Sequence, residues 1–191
     1  MTKGRLEAFS DGVIAIIITI MVLEIQPPHS TELKGLAPLI PTLLSYTLSF
    51  VFLGIYWNNH HHMLQAVKHV NGRVLWANLH LLFWLSLIPF GTAWMGETRF
   101  ASWPTAVYGV MLLGCAIAYF ILSRLLIALH GADSPLATAV GSDPKGKISL
   151  ALYIAAIPLA LVRPWIAHAI YITVAAMWLV PDLRIEKTLK S

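Results

Sequence analysis

Arg5-Leu6-Glu7-Ala8-Phe9-Ser10-Asp11-Gly12, followed by an apolar run to Val22-Leu23, is the stretch on which the reading of this chain turns. A carboxylate at the mouth of a membrane-length helix needs a reason, because unpaired charge in hydrocarbon costs at least ~2.5–3.5 kcal/mol. Wound at about 100° per residue, the segment places Phe9, Gly12, Ile16, Thr19, Ile20 and Leu23 within about 60° of one line. Ser10 and Asp11 fall on other faces. The pattern suits a helix whose polar foot is pinned by neighbours while a narrow apolar stripe faces something else.

Composition fixes the environment of that helix. Of 191 residues, 58% are hydrophobic and 12% charged, and the mean hydropathy is +0.72. Soluble domains run at about 45–50% apolar and about 25% charged, so the expectation is an all-α integral membrane protein. The net charge of +4 is spread over loops and does not point to nucleic acid. Cys115 is alone in an apolar run, so no intramolecular disulfide forms. The first apolar run ends in Leu23-Glu24-Ile25-Gln26-Pro27-Pro28 with no small-residue cleavage site, so a removable signal peptide is not expected.

Apolar runs read against their breakers predict six transmembrane helices in a single domain spanning 1–191, at about 5–25, 38–62, 74–95, 104–128, 147–162 and 165–181. Pro27-Pro28 stops the first, Pro104 sits in the first turn of the fourth, and Arg163-Pro164 joins the short last pair. A polar stretch from His130 to Lys147 separates the fourth and fifth. With both termini cytoplasmic, ten of the 13 Lys and Arg residues fall inside, and only Lys34, Arg99 and Arg163 fall outside. A multi-pass protein of the cell membrane is the expectation.

Several chemistries lack their residues. Val107-Tyr108-Gly109-Val110 sits inside a span and is not a carbonyl filter. Walker-type glycine loops, His-Glu-x-x-His and Cys-x-x-Cys do not occur. Acidic residues within the spans are confined to Glu7 and Asp11 at one end of the first and Glu24 at the other, so no carboxylate relay crosses the membrane. A metalloenzyme would need ligands converging on His60-His61-His62. Adjacent helical histidines diverge by about 100°, and only His80 and His168 lie on other spans. No metal site and no cofactor are expected.

The remaining polar groups admit two readings. Arg5 and Asp11 suit an interfacial helix start, yet Asp11 lies about 9 Å beyond Arg5 at 1.5 Å per residue, where partners matter more. Trp57 and the histidines suit an aromatic belt. Equally, Trp57, His60 and His61 share one face at i, i+3 and i+4 and could reach the foot of the first helix, where Ser10 and Asp11 need donors. Asn78, an amide within the third span, has the same need. His60 and Asn78 are therefore the expected partners of Ser10 and Asp11.

Arg5-x-x-x-Phe9-Ser10-Asp11, Trp57-x-x-His60-His61, and Asn78-Leu79 followed by Ile88-Pro89-Phe90 resemble the endolysosomal-type potassium channel family, the transmembrane protein 175 family. The likeness covers the first three spans at these spacings; the last three match in number and position only. Animal members carry two six-helix repeats, whereas this chain has one, as prokaryotic members do. The resemblance implies a homotetramer in membrane lipid, a non-canonical K⁺ channel without a carbonyl filter, and a pore lined by helix 1. Carried over by distance from Ser10-Asp11, the constriction is Ile16, Ile20 and Leu23, with Thr19 beside it as the selectivity residue. Arg5, Phe9, Ser10, Asp11, Trp57, His60 and Asn78 are the implied structural network. The rival expectation is a small transporter or scaffolding protein in which the stripe packs inside its own subunit.

Overall fold

A computed structural model describes residues 2–179. Residues 180 and 181 of the sixth expected span lie outside the described residues, as do the cations Arg184, Lys187 and Lys190. Helix α1 spans Lys3–Leu23. A 3-10 segment, Leu33–Leu39, leads into α2, Ile40–Gln65. Then come α3 (Gly72–Ser86), α4 (Ile88–Glu97), α5 (Ser102–His130), α6 (Pro135–Val140), α7 (Pro144–Val162) and α8 (Pro164–Leu179). No strand occurs among the described residues. Among the described residues, five spans are long and apolar enough to cross a membrane, α3 and α4 together forming one of them, and α8 is a shorter apolar helix.

Local chemistry sets the starts of these elements. Asn71 accepts from the Val74 amide to cap α3, and Asp143 accepts from the Gly146 amide to cap α7. The polar stretch expected between the fourth and fifth spans contains the short helix α6, capped by Ser134 and opened by Pro135. The third expected span is broken at Leu87. Pro89 has no amide hydrogen for the Leu85 carbonyl and its ring crowds that turn, so α3 ends there and the Leu87 amide donates to the Trp84 carbonyl at 3.2 Å.

Helix α5 is the hub. Tyr108, Leu112, Cys115, Ala118, Leu122 and Leu126 are fully buried at helical spacing along it, and it packs against α3, α4, α7 and α8. Close approach there depends on missing side chains, as is usual where helices meet in a membrane. The ring of Trp84 lies over Gly114, and the Tyr171 hydroxyl lies over Gly109, so closely that a Cβ at either glycine would collide. Helix α1 stands to one side and packs on α2, α3 and α4.

This packing predicts that Gly114→Ala lowers the thermal midpoint of the detergent-solubilised protein, by an amount equivalent to about 1–3 kcal/mol for an overpacked core site. Gly72→Ala, where an added Cβ meets nothing within 4 Å, should leave the midpoint unchanged.

Candidate functional site: the two faces of helix α1

Helix α1 has two faces of opposite character. Leu6, Ser10, Ile14, Ile17 and Met21 are buried against the subunit's own helices. Phe9, Ile16, Ile20 and Leu23 are 49, 58, 42 and 71% exposed, and Gly12 and Thr19 are exposed with them. The two sets are centred about 130° apart around the helix. The apolar stripe is therefore turned away from the bundle that holds the helix. The Thr19 hydroxyl donates to the Ile16 carbonyl at 2.9 Å, one residue short of the Ala15 carbonyl that ordinary back-bonding would reach.

The buried face carries one fully enclosed polar chain. Asn78 Nδ2 donates to Ser10 Oγ at 2.9 Å, and Asn78 Oδ1 lies 2.7 Å from His60 Nε2. Because that amide oxygen can only accept, His60 Nε2 carries the proton. Ser10 in turn donates to the Leu6 carbonyl at 2.8 Å. Every group in the series therefore has one role, running from His60 to Asn78 to Ser10 to backbone. All three side chains have zero exposure. They come from α2, α3 and α1 and tie the three helices at one level.

Asp11 departs from expectation. Its carboxylate accepts from Trp57 Nε1 at 3.1 Å and bonds to neither His60 nor Asn78. Consecutive residues on a helix point about 100° apart, so a Ser10 aimed at Asn78 turns Asp11 toward the flank where Trp57 lies. Next along α2, His61 Nδ1 is 3.3 Å from Glu7 Oε1, and its other nitrogen meets the Gln65 amide. Trp57, His60 and His61 thus each engage the foot of α1, directly or through Asn78. Arg5 is exposed and has no hydrogen-bond or ion-pair partner among the described residues. Among those residues no group of three His, Cys, Asp or Glu side chains could hold a metal.

A second polar cluster, unmarked in the motifs above, lies toward the other end. Tyr108, Ser49 and Thr92 are joined by contacts of 2.8 and 2.6 Å, and Thr92 reaches the Ile88 carbonyl at 2.7 Å. A hydroxyl has one proton and a carbonyl only accepts. The Thr92 proton is thus shared between Ser49 Oγ and the Ile88 carbonyl, and Ser49 in turn meets the Tyr108 hydroxyl. Ser45 joins by donating to the Thr92 carbonyl, and Met21 of α1 touches the Thr92 hydroxyl through its sulfur at 3.9 Å. The signal in the sequence is Ser45 and Ser49, two hydroxyls one turn apart in an apolar helix.

These features define a multi-pass α-helical membrane protein whose first helix is held by one face and presents an apolar stripe with the other. Residues 5–89 match the family model described as the endosomal/lysosomal potassium channel TMEM175. A protein of Chryseobacterium sp. (strain P1-3), named a potassium channel, is 54% identical over 190 residues, covering 100% of this chain and 99% of that one. Another named potassium channel, from Chamaesiphon minutus, is 31% identical across 90% of this chain and 91% of its own length. The crystal structure of a lysosomal potassium-selective channel TMEM175 homolog from Chamaesiphon minutus superposes with a TM-score of 0.81 at 28% identity, over 94% of this chain and 97% of that one. The chain belongs to the TMEM175 family. Its relatives are named as ion channels, not enzymes.

The site yields a ranking of stabilities. Asn78→Leu severs two enclosed hydrogen bonds and strands the His60 Nε2 proton, and membrane bonds of this kind are worth ~0.6–2 kcal/mol each. Trp57→Phe removes only the exposed bond to Asp11. Thermal unfolding in detergent should show Asn78→Leu as clearly the more damaging of the two.

Proposed function

We propose that this chain forms a potassium-permeable channel of the cell membrane, in which four copies place their α1 stripes around a common axis. The observation that carries the reading is the exposure of the stripe: Ile16, Ile20 and Leu23 face outward from a helix whose other face, Leu6, Ser10, Ile14, Ile17 and Met21, is buried in its subunit. The rival reading, in which the stripe packs inside its own subunit, needs those residues enclosed by α2 to α8. The potassium-channel names of the relatives, one of them 54% identical across this whole chain, support the choice of ion.

One helix cannot enclose a path, so conduction requires symmetric copies, and closed cyclic symmetry is the usual solution. Three apolar rings, one per turn, then form the constriction. Such rings offer no ligand to replace an ion's water. A tight ring blocks by dewetting, and a wider one passes hydrated or partly hydrated ions. Preference for K⁺ over Na⁺ rests on the easier dehydration of K⁺. Thr19 adds the one hydroxyl on the stripe; its proton is held by the Ile16 carbonyl, which leaves its oxygen lone pairs free for the lumen. Arg5, at the exposed foot of α1, faces lipid headgroups or the neighbouring copy, and both termini lie in the cytoplasm.

Two measurements test this. Replacing Ile16 by Asn should hydrate the ring and raise baseline K⁺ flux into liposomes or relax selectivity, while Thr19→Ala should lower K⁺ preference without abolishing flux. Unchanged K⁺ and Na⁺ flux with Asn at positions 16, 20 and 23 together would remove α1 from the pore. Native mass measurement in mild detergent should give a tetramer; a monomer as the sole species under conditions that preserve flux defeats the assembly.

A further inference from the structure

The foot of the bundle carries a histidine that neither the α1 network nor the stripe uses. His130 is the last residue of α5. Its Nδ1 lies 2.9 Å from the Leu126 carbonyl, and since a carbonyl only accepts, Nδ1 carries a proton. Its Nε2 receives the backbone amides of Lys68 at 3.1 Å and His69 at 3.4 Å, so Nε2 carries none. These bonds fit one form of the ring alone, the neutral imidazole protonated at Nδ1. A proton on Nε2 would face two N–H donors and replace two attractions with a repulsion.

The loop held in this way is also an anchor for α1. Val67, buried beside Lys68, offers its carbonyl to Lys3 Nζ at 3.1 Å, and Lys3 is the first residue of α1. A continuous path therefore runs from the end of α5 through the 66–71 loop to the start of α1. We propose that His130 is a proton-operated latch: neutral, it fastens the 66–71 loop to α5 and so steadies the first turn of α1; protonated, it releases both. Protonation turns the Nε2 acceptor into a donor, so gain of a proton opens the latch and its loss closes it.

The surroundings favour the same sign. The His69 ring stands 4.6 Å from the His130 ring. Lys68 precedes His69 in the loop, Lys3 reaches in from α1, and Arg73 follows at the start of α3. Arg124 lies on α5 itself, and Asp133 is the acid nearest in sequence, in the segment before α6. No carboxylate lies within ion-pair range of His130 among the described residues. A proton gained by His130 is thus met by two N–H donors and the His69 ring with no carboxylate in ion-pair range among the described residues, and moving the loop away relieves it.

Amide hydrogen exchange on the protein in lipid nanodiscs, corrected for intrinsic rates, tests the latch at about pH 7.5 and about pH 5.5. In the wild type, protection across residues 66–71 should fall roughly tenfold on acidification, the size expected for the loss of one or two hydrogen bonds. His130→Gln offers a carbonyl acceptor that does not titrate, so its protection should not change with pH. His69→Gln should keep the acid response. Wild-type protection that does not move, or an equal response in His130→Gln, overturns the proposal. A second arm, K⁺ flux into liposomes at the same two pH values, rests on the channel reading above: the acid-dependent change in flux should vanish in His130→Gln. An intact exchange response with flat flux would overturn the coupling to conduction and leave the latch standing, whereas no flux at any pH would count against the channel reading alone.

Discussion

Hydrocarbon offers no water to a polar side chain, and that constraint explains where Ser10, Asn78 and His60 sit. Each would be costly alone inside a membrane helix. Together they bond in a single donor-to-acceptor order that ends on the Leu6 carbonyl, with His60 Nδ1 left buried and unpartnered. The order fixes the rotation of α1 as well as its position. Turning the helix by one residue would swing Ser10 about 100° from Asn78 and bring Phe9 or Asp11 into its place. A rotation fixed by hydrogen bonds in turn fixes which residues of α1 face outward, Ile16, Ile20 and Leu23 among them.

A second hold on the same side of α1 keeps that rotation along its length. Met21 lies three turns above Ser10 on the buried face and touches the Thr92 hydroxyl. Thr92 belongs to α4, the piece of the third span set off by Pro89. The break at Leu87 separates the segment that bonds Ser10 from the segment that contacts Met21. The two holds differ in strength: the lower is a chain of strong bonds, the upper a single weak sulfur contact of the polarizable kind methionine makes. The foot of α1 is the firmer end.

Much of this was legible in the sequence because periodicity carries it. The stripe and the buried face of α1 follow from a 100° step alone, and Trp57, His60 and His61 share a face for the same reason. The bond between Ser10 and Asn78 could be expected from need, as two lone polar groups at matching depth. The partner of Asp11 could not be read that way. Need names the donors available but not their direction, and the step that aims Ser10 at Asn78 sends Asp11 to Trp57. The hydroxyl cluster of Ser49, Thr92 and Tyr108 escaped because serine and threonine can bond their own helix backbone, so their presence in a span does not by itself demand a neighbour. The break at Leu87 was written in Pro89, but proline is tolerated in membrane helices often enough that its effect depends on which neighbours re-satisfy the freed carbonyl.

The contrast between the two faces of α1 bears on why a channel of the proposed kind would be built from its first helix. Rings that gate by dewetting need diameters fixed to a fraction of a water molecule, yet their residues make no specific bonds to one another. Precision must then come from behind. A polar chain with zero exposure is a stiff support, because loosening any member leaves a buried donor or acceptor unpaired at a cost of about 1–3 kcal/mol. The apolar layer at the front is the opposite: Ile, Ile and Leu can change rotamer without breaking a bond. In the proposed tetramer each subunit would hold its helix rigidly by the rear face and present a deformable surface at the axis. Small displacements of the foot, where Ser10, Trp57 and Lys3 are all engaged, would then change the spacing of the rings without disturbing the packing of α5, α7 and α8 around the subunit's centre.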